Sequence, residues 1–152
     1  MNSIFLAKNA EFAVPAKKGD GLVTTSAIRF SPEIPDLNVD QGQLQFRLQV
    51  RKNDIEKVEL VLQAGKTLTL RQDWTEEEFT HLKTEMPFGK ELDFEYAFRL
   101  TDGGTTYYVS PAGVTAQSPI QWFRFSGKSF RVFTVPNWVE KSVIYQIFPD
   151  RF

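Results

Sequence analysis

Four aromatic side chains in this sequence are of a type and placement suited to recognition chemistry: Trp74, Tyr107, Tyr108 and Trp122. A flat ring can cover the apolar face of a sugar ring while neighbouring polar groups fix its hydroxyls. Trp74 follows Asp73 in an acidic, loop-like segment and lies outside every core alternation, so it is expected at the surface. Tyr107 and Tyr108 are adjacent, and a strand puts them on opposite faces, leaving one exposed. In residues 121–125, Trp122 shares a face with Arg124 while Phe123 and Phe125 take the other. Trp122 therefore suits core or interdomain packing as well as ligand contact.

The other reactive residue types have simpler readings. Thr75-Glu76-Glu77-Glu78 has the form of a capping box, and acidic residues suit the start of a helix. With Phe79 and Leu82 spaced along one side, one helical turn is expected at 75–79 and a strand at 81–86. The acidic triplet is then a solvated helix start and not a catalytic set. His81, the only histidine, has no cysteine, histidine or carboxylate at ligand spacing. Asp102 sits in a short Asp-Gly-Gly turn and lacks the longer acidic loop of an EF-hand. No metal, cofactor or catalytic residue is assigned.

Composition removes several partners. The formal charge is −1 over 152 residues, and no Lys/Arg cluster exceeds a pair, so no phosphate-tracking surface and no nucleic-acid partner are expected. Zero cysteines exclude a disulfide framework and a thiolate metal site, and agree with a reducing compartment. No apolar run reaches the roughly 18 residues of a membrane span, and the first residues lack a signal-peptide core. A cytoplasmic location is expected, or an extracellular one if a signal peptide has been removed.

The elements that must position the aromatic residues are strands. Leu44, Phe46, Leu48 and Val50 alternate with polar residues, as do Val58, Leu60 and Leu62, then Leu68 and Leu70, then Leu92, Phe94, Tyr96, Phe98 and Leu100. Residues 105–110, 121–125 and 130–135 are aromatic and β-branched enough to add shorter strands. Asn53-Asp54, Ala64-Gly65-Lys66 and Asp102-Gly103-Gly104 supply turns between them. Short strands at this spacing, without a long helical period, predict an all-β fold, an antiparallel β-sandwich of immunoglobulin-like architecture. Residues 1–25 read as an N-terminal extension, with a linker-like composition at 17–21, residues 26–135 as the sandwich, and residues 136–152 as a connection to something further.

That further element begins at Trp138. Val143, Ile144, Tyr145, Ile147 and Phe148 form an apolar run broken only by Gln146, which suits a strand buried on both faces. Pro149 ends it, and Asp150-Arg151 stands where a barrel strand carries function. The run Trp138 to Phe152 resembles the first barrel strand of the α-amylase superfamily of glycoside hydrolases, with the pattern W-V-x-x-A/S-V-x-Y-Q-I-F-P-D/E-R-F. Residues 92–114 are similar to the paired strands near the end of the N-terminal module of neopullulanases, cyclomaltodextrinases and maltogenic amylases. Residues 27–30, 47–48 and 58–60 resemble the start of that module. One departure is specific: where the family pattern has F-D-Y-W, this chain has Phe79-Thr80-His81-Leu82, a leucine in place of the tryptophan.

The resemblance implies a non-catalytic N-terminal module followed by the truncated first strand of a (β/α)8 barrel, since a whole barrel needs about 250 residues. It implies a parent enzyme that hydrolyses α-1,4-glucosidic bonds of maltodextrins, cyclodextrins or pullulan with retention. Such an enzyme holds two carboxylates about 5–5.5 Å apart, here expected beyond Phe152, so Asp150 is not assigned a catalytic role. The partners implied are the parent's own barrel and a second copy, the module assisting homodimer assembly and narrowing the active-site cleft. The alternative is an independent α-glucan (starch)-binding module that uses Trp74, Tyr107, Tyr108 and Trp122. Trp138 is expected to pack between domains.

Overall fold

The computed structural model describes residues 12–131. The expected barrel strand at 143–148 and Trp138 lie outside those residues. After a 3₁₀ turn at Thr25–Ala27 come β1 (Leu37–Asp40), β2 (Gln43–Arg51), β3 (Lys57–Leu62), β4 (Thr67–Thr69) and β5 (Arg71–Thr75). Then follow β6 (Phe79–Pro87), β7 (Asp93–Asp102), β8 (Thr105–Ser110), β9 (Gly113–Thr115) and β10 (Phe123–Ser126). One sheet runs β1-β2-β6-β5; the other runs β4-β3-β7-β8-β9, with β10 beside β8 along the same edge of β7. All described pairings are antiparallel. This is the two-sheet, immunoglobulin-like sandwich expected from the alternation.

The alternating residues form its core. Leu44, Phe46 and Leu48 of β2 and Tyr96, Phe98 and Leu100 of β7 are fully buried, and Val58, Leu60 and Leu62 of β3 join them. Burying each such side chain contributes about 1.5–3 kcal/mol. Aromatic rings lock the two sheets together: Phe46 meets Tyr96 at 5.1 Å, and Phe30 meets Phe98 at 4.7 Å and Phe123 at 5.2 Å. The hydroxyl of Tyr96 is buried in this apolar setting without a hydrogen-bond partner. Burial drives its pKa far above the ordinary tyrosine value.

Three local expectations are corrected. Residues 75–79 form no helical turn. Thr75 ends β5, and Glu76 to Glu78 make the tip of a β5–β6 hairpin closed by a bond from Glu76 N–H to the Phe79 carbonyl at 2.8 Å. The ladder with β6 supplies more backbone pairing than a single helical turn would. Leu68 and Leu70 do not share one strand: β4 stops at Thr69, and the chain crosses to the other sheet at Leu70, whose N–H bonds the Val58 carbonyl at 2.9 Å. At the end of the described chain, Phe130 and Arg131 are not in a strand.

Residues 17–21, linker-like in composition, are held to the sandwich. The Asp102 carboxylate, fully buried, accepts hydrogen bonds from the N–H groups of Gly19 at 2.7 Å and Gly21 at 3.0 Å. Asp54 accepts one from Thr24 N–H at 2.7 Å, and Glu56 one from Gly103 N–H at 2.8 Å. Gly103 has φ +52°, and a Cβ there would stand 2.6 Å from the Gly19 carbonyl oxygen, so only glycine fits this hairpin under the strap. Thus anchored, the chain delivers Ala27, Ile28 and Phe30 to the core.

Hydrogen bonds to a charged group contribute about 1.5–3 kcal/mol each, so Asp102→Ala is expected to lower stability by several kcal/mol. Hydrogen exchange at Gly19 and Gly21 should accelerate more than exchange in the β2–β6 ladder. Tyr96→Phe should do the reverse. An unpaired buried hydroxyl costs about 1–3 kcal/mol, and its removal should leave the urea midpoint unchanged or raise it.

Candidate binding face around Trp74

The face that presents Trp74 is the outer side of the β1-β2-β6-β5 sheet. Because Leu44, Phe46, Leu48 and Val50 point inward, Gln45, Arg47 and Gln49 point outward, and their β6 partners Glu85, Lys83 and His81 stand beside them. On β5, strict alternation would put Gln72 and Trp74 on one side. The strand instead carries an extra residue, since Gln72 pairs with Leu82 and Trp74 with His81, leaving Asp73 as a bulge. Gln72 and Thr75 therefore face inward, while Trp74 turns out.

Trp74 is 48% exposed and stacks on the His81 imidazole, centroids 4.0 Å apart and planes 10° from parallel. One face of the indole is thus covered and the other left open. His81 is itself held, its Nε2 lying 2.6 Å from Glu76 Oε2 across the hairpin. The bulged Asp73 accepts a hydrogen bond from Arg47 Nε at 3.2 Å and lies 3.8 Å from Lys83 Nζ. Gln45 donates to Glu85 at 3.2 Å. Desolvation pushes the nearby Asp36 carboxyl above the usual aspartate range, against the Ser31 N–H bond at 2.9 Å and the charges of His81 and Arg47. The result is an apolar plate rimmed by paired donors and acceptors, an arrangement able to grip a hydroxyl-rich ring.

The structure does not bring the four sequence-predicted residues together. Trp74 occupies a β-strand, not a loop, though its exposure is as expected. Tyr108 lies on the outer side of the opposite sheet, in the row Glu59–Arg99–Tyr108. Tyr107 pairs with Leu100 on the inward side of β8 and is half-buried. Trp122 stands just ahead of β10 and is half-buried. Sequence reasoning missed His81, Glu76, Arg47 and Lys83. A glutamate five residues before a histidine was the signal, legible only once a hairpin is placed between them. Among the described residues no cluster of three or more His, Cys, Asp or Glu could hold a metal, and no helix is long and apolar enough to cross a membrane.

The Tyr108 side of the sandwich carries its own part-buried ion pair. Arg99 donates to Glu59 Oε1 through Nε at 3.0 Å and a terminal nitrogen at 2.8 Å. Burial alone pushes the Glu59 carboxyl up, but Arg99 and Lys57 together outweigh it and hold the group below the usual glutamate range. A carboxylate lowered in the folded state contributes stability above its unfolded pKa and loses it as pH falls through the folded value. Glu59→Gln should therefore cost about 1 kcal/mol at neutral pH. In urea titrations the gap from the unsubstituted chain should close below the ordinary glutamate range.

No protein-family model matches the chain. It is 30% identical over 131 residues to neopullulanase 2 of Thermoactinomyces vulgaris, covering 75% of this chain and 21% of that protein. It is 28% identical to the cyclomaltodextrinase of Geobacillus thermopakistaniensis, covering 74% of this chain and 22% of the relative. The chain thus spans about a fifth of the length of the curated relatives it matches. Solved structures share the fold: a cyclomaltodextrinase at TM-score 0.64 and 17% identity, covering 78% of this chain and 22% of that one, and the maltogenic amylase from S. marinus at 0.60 and 14%, covering 73% and 15%. Its relatives and structural neighbours are neopullulanase, cyclomaltodextrinase and maltogenic amylase, which it matches as an all-β module similar to their N-terminal region.

Proposed function

We propose that this chain is the non-catalytic N-terminal module of an α-glucan-hydrolysing enzyme and that its Trp74 face engages α-glucan. The observation carrying the reading is the open indole face of Trp74, stacked on His81 and rimmed by Arg47, Asp73 and Lys83. Support for the ligand class comes from relatives named for cyclomaltodextrin and pullulan. An assembly role, in which the module joins two copies and narrows the partner's cleft, draws on the same exposed tryptophan. Tryptophan is the residue type enriched at interface hot spots. The other exposed large apolar residues among those described, Val14, Leu22, Ile34 and Ile120, lie outside the four strands of the sheet that presents Trp74. That favours a ligand contact over an extended apolar interface.

Titration with maltoheptaose or β-cyclodextrin should quench tryptophan fluorescence saturably. Trp74→Ala should weaken the response at least about ten-fold, or about 1.4 kcal/mol, with little change in unfolding midpoint because the side chain is half-exposed. No quenching, combined with a concentration-dependent dimer in sedimentation that Trp74→Ala dissolves, would replace glucan contact by assembly.

A further inference from the structure

The inward side of a sandwich should be apolar, yet along β5 it is not. The across-sheet rows Leu48–Leu82–Gln72 and Val50–Thr80–Thr75 end in an amide and two hydroxyls. Thr80 is only 8% exposed. None of these three side chains has a hydrogen bond to another described residue. Gln72 and Thr75 are exposed at the open edge of the sandwich, so their polar atoms are free to meet a ligand or solvent. With Val50, Val58, Leu70 and Leu82 they line a cleft of about 340 Å³ between the sheets, within the size range of small-molecule sites.

Cations outnumber carboxylates at the same cleft, Lys18, Arg51, Lys52 and Lys57 against Asp54 and Glu56. Of its lining carboxylates, Asp54 is occupied by Thr24 N–H and Glu56 by Gly103 N–H. Arg51 is also engaged, donating to Thr24 Oγ1 and to the Phe12 and Val14 carbonyls. Lys57 lies 3.4 Å from Glu59. Lys18 and Lys52 also line the cleft and have no ion-pair partner among the described residues.

We propose that this cleft binds a monosaccharide carrying an anionic group, a phosphate or a carboxylate. Lys18 and Lys52 hold the anion, Gln72, Thr75 and Thr80 meet the hydroxyls, and Val50, Val58, Leu70 and Leu82 cover the apolar edge. The volume suits one ring, not an oligosaccharide. This site is separate from the Trp74 face, because the bulge at Asp73 turns Trp74 to the opposite side of β5 from Gln72 and Thr75.

The test is titration of the ¹⁵N-labelled chain with glucose 6-phosphate, glucuronate, glucose and inorganic phosphate, followed by amide shifts. Saturable shifts at Lys52, Asn53, Thr75 and Thr80 are expected with at least one anionic sugar. A response to glucose 6-phosphate alone assigns the phosphate form, and a response to glucuronate alone the carboxylate form. The double variant Lys18→Gln, Lys52→Gln alters only exposed side chains and should weaken binding at least about ten-fold, while Trp74→Ala leaves it unchanged. The proposal is overturned if neither anionic sugar gives saturable shifts, if inorganic phosphate binds as tightly as the sugars, or if the double variant binds like the unsubstituted chain. Loss of the glucan response at Trp74 would leave this result untouched.

Discussion

The packing of Phe46 against Tyr96, centroids 5.1 Å apart with planes at 72°, joins β2, an interior strand of one sheet, to β7, an interior strand of the other. Both residues are fully buried, and Phe94, Phe98, Phe123 and Phe30 gather around the tyrosine. Edge-to-face pairs of this kind add about 0.5–1.5 kcal/mol each beyond area burial. Because cohesion is concentrated between β2 and β7, the outer faces are free to carry charge and amide groups, and the peripheral strands are free to depart from regular alternation.

Strand β5 uses that freedom. All five of its residues are exposed, and its place in the fold rests on pairing with β6. The extra residue at Asp73 reverses the phase of the strand halfway along, so one short edge segment offers an aromatic plate outward and polar groups inward. The outward plate is pre-organised: His81 backs the indole, Glu76 holds His81, and the Arg47–Asp73 contact holds the bulge. A side chain fixed before a ligand arrives loses less rotational freedom on binding.

The strap from Gly19 to Ala27 closes one end of the sandwich by carboxylate-to-backbone bonds as well as by the packing of Val23 and Ala27. Asp54 is 2% exposed, and desolvation pushes its pKa above the usual aspartate value, with the bonds from Thr24 and the charge of Arg51 opposing the shift and nearby Asp102 adding to it. Two carboxylates buried at one end of the molecule are tolerable because each accepts N–H bonds from the strap. Beside the strap, the Lys18 and Lys52 side chains have no ion-pair partner among the described residues and add positive charge to the adjoining cleft.

The sequence alone determined the fold class. Leu44 to Val50 and Leu92 to Leu100 alternate because each strand has one wet and one dry side, a purely local imprint of burial. It also showed that Trp74 belongs at the surface, since no alternation claims it. What it could not show is where alternation breaks. The hairpin at Glu76–Glu78 has the local chemistry of a helix start, and only the ladder with β6 overrides that preference. The anchoring of residues 17–21 depends on Asp102, more than eighty positions away. Which side of β5 Trp74 occupies, that Tyr108 lies on the far sheet, and that His81 backs the indole were decided by tertiary pairing, because a one-residue bulge changes the facing of side chains without leaving a mark in composition or period.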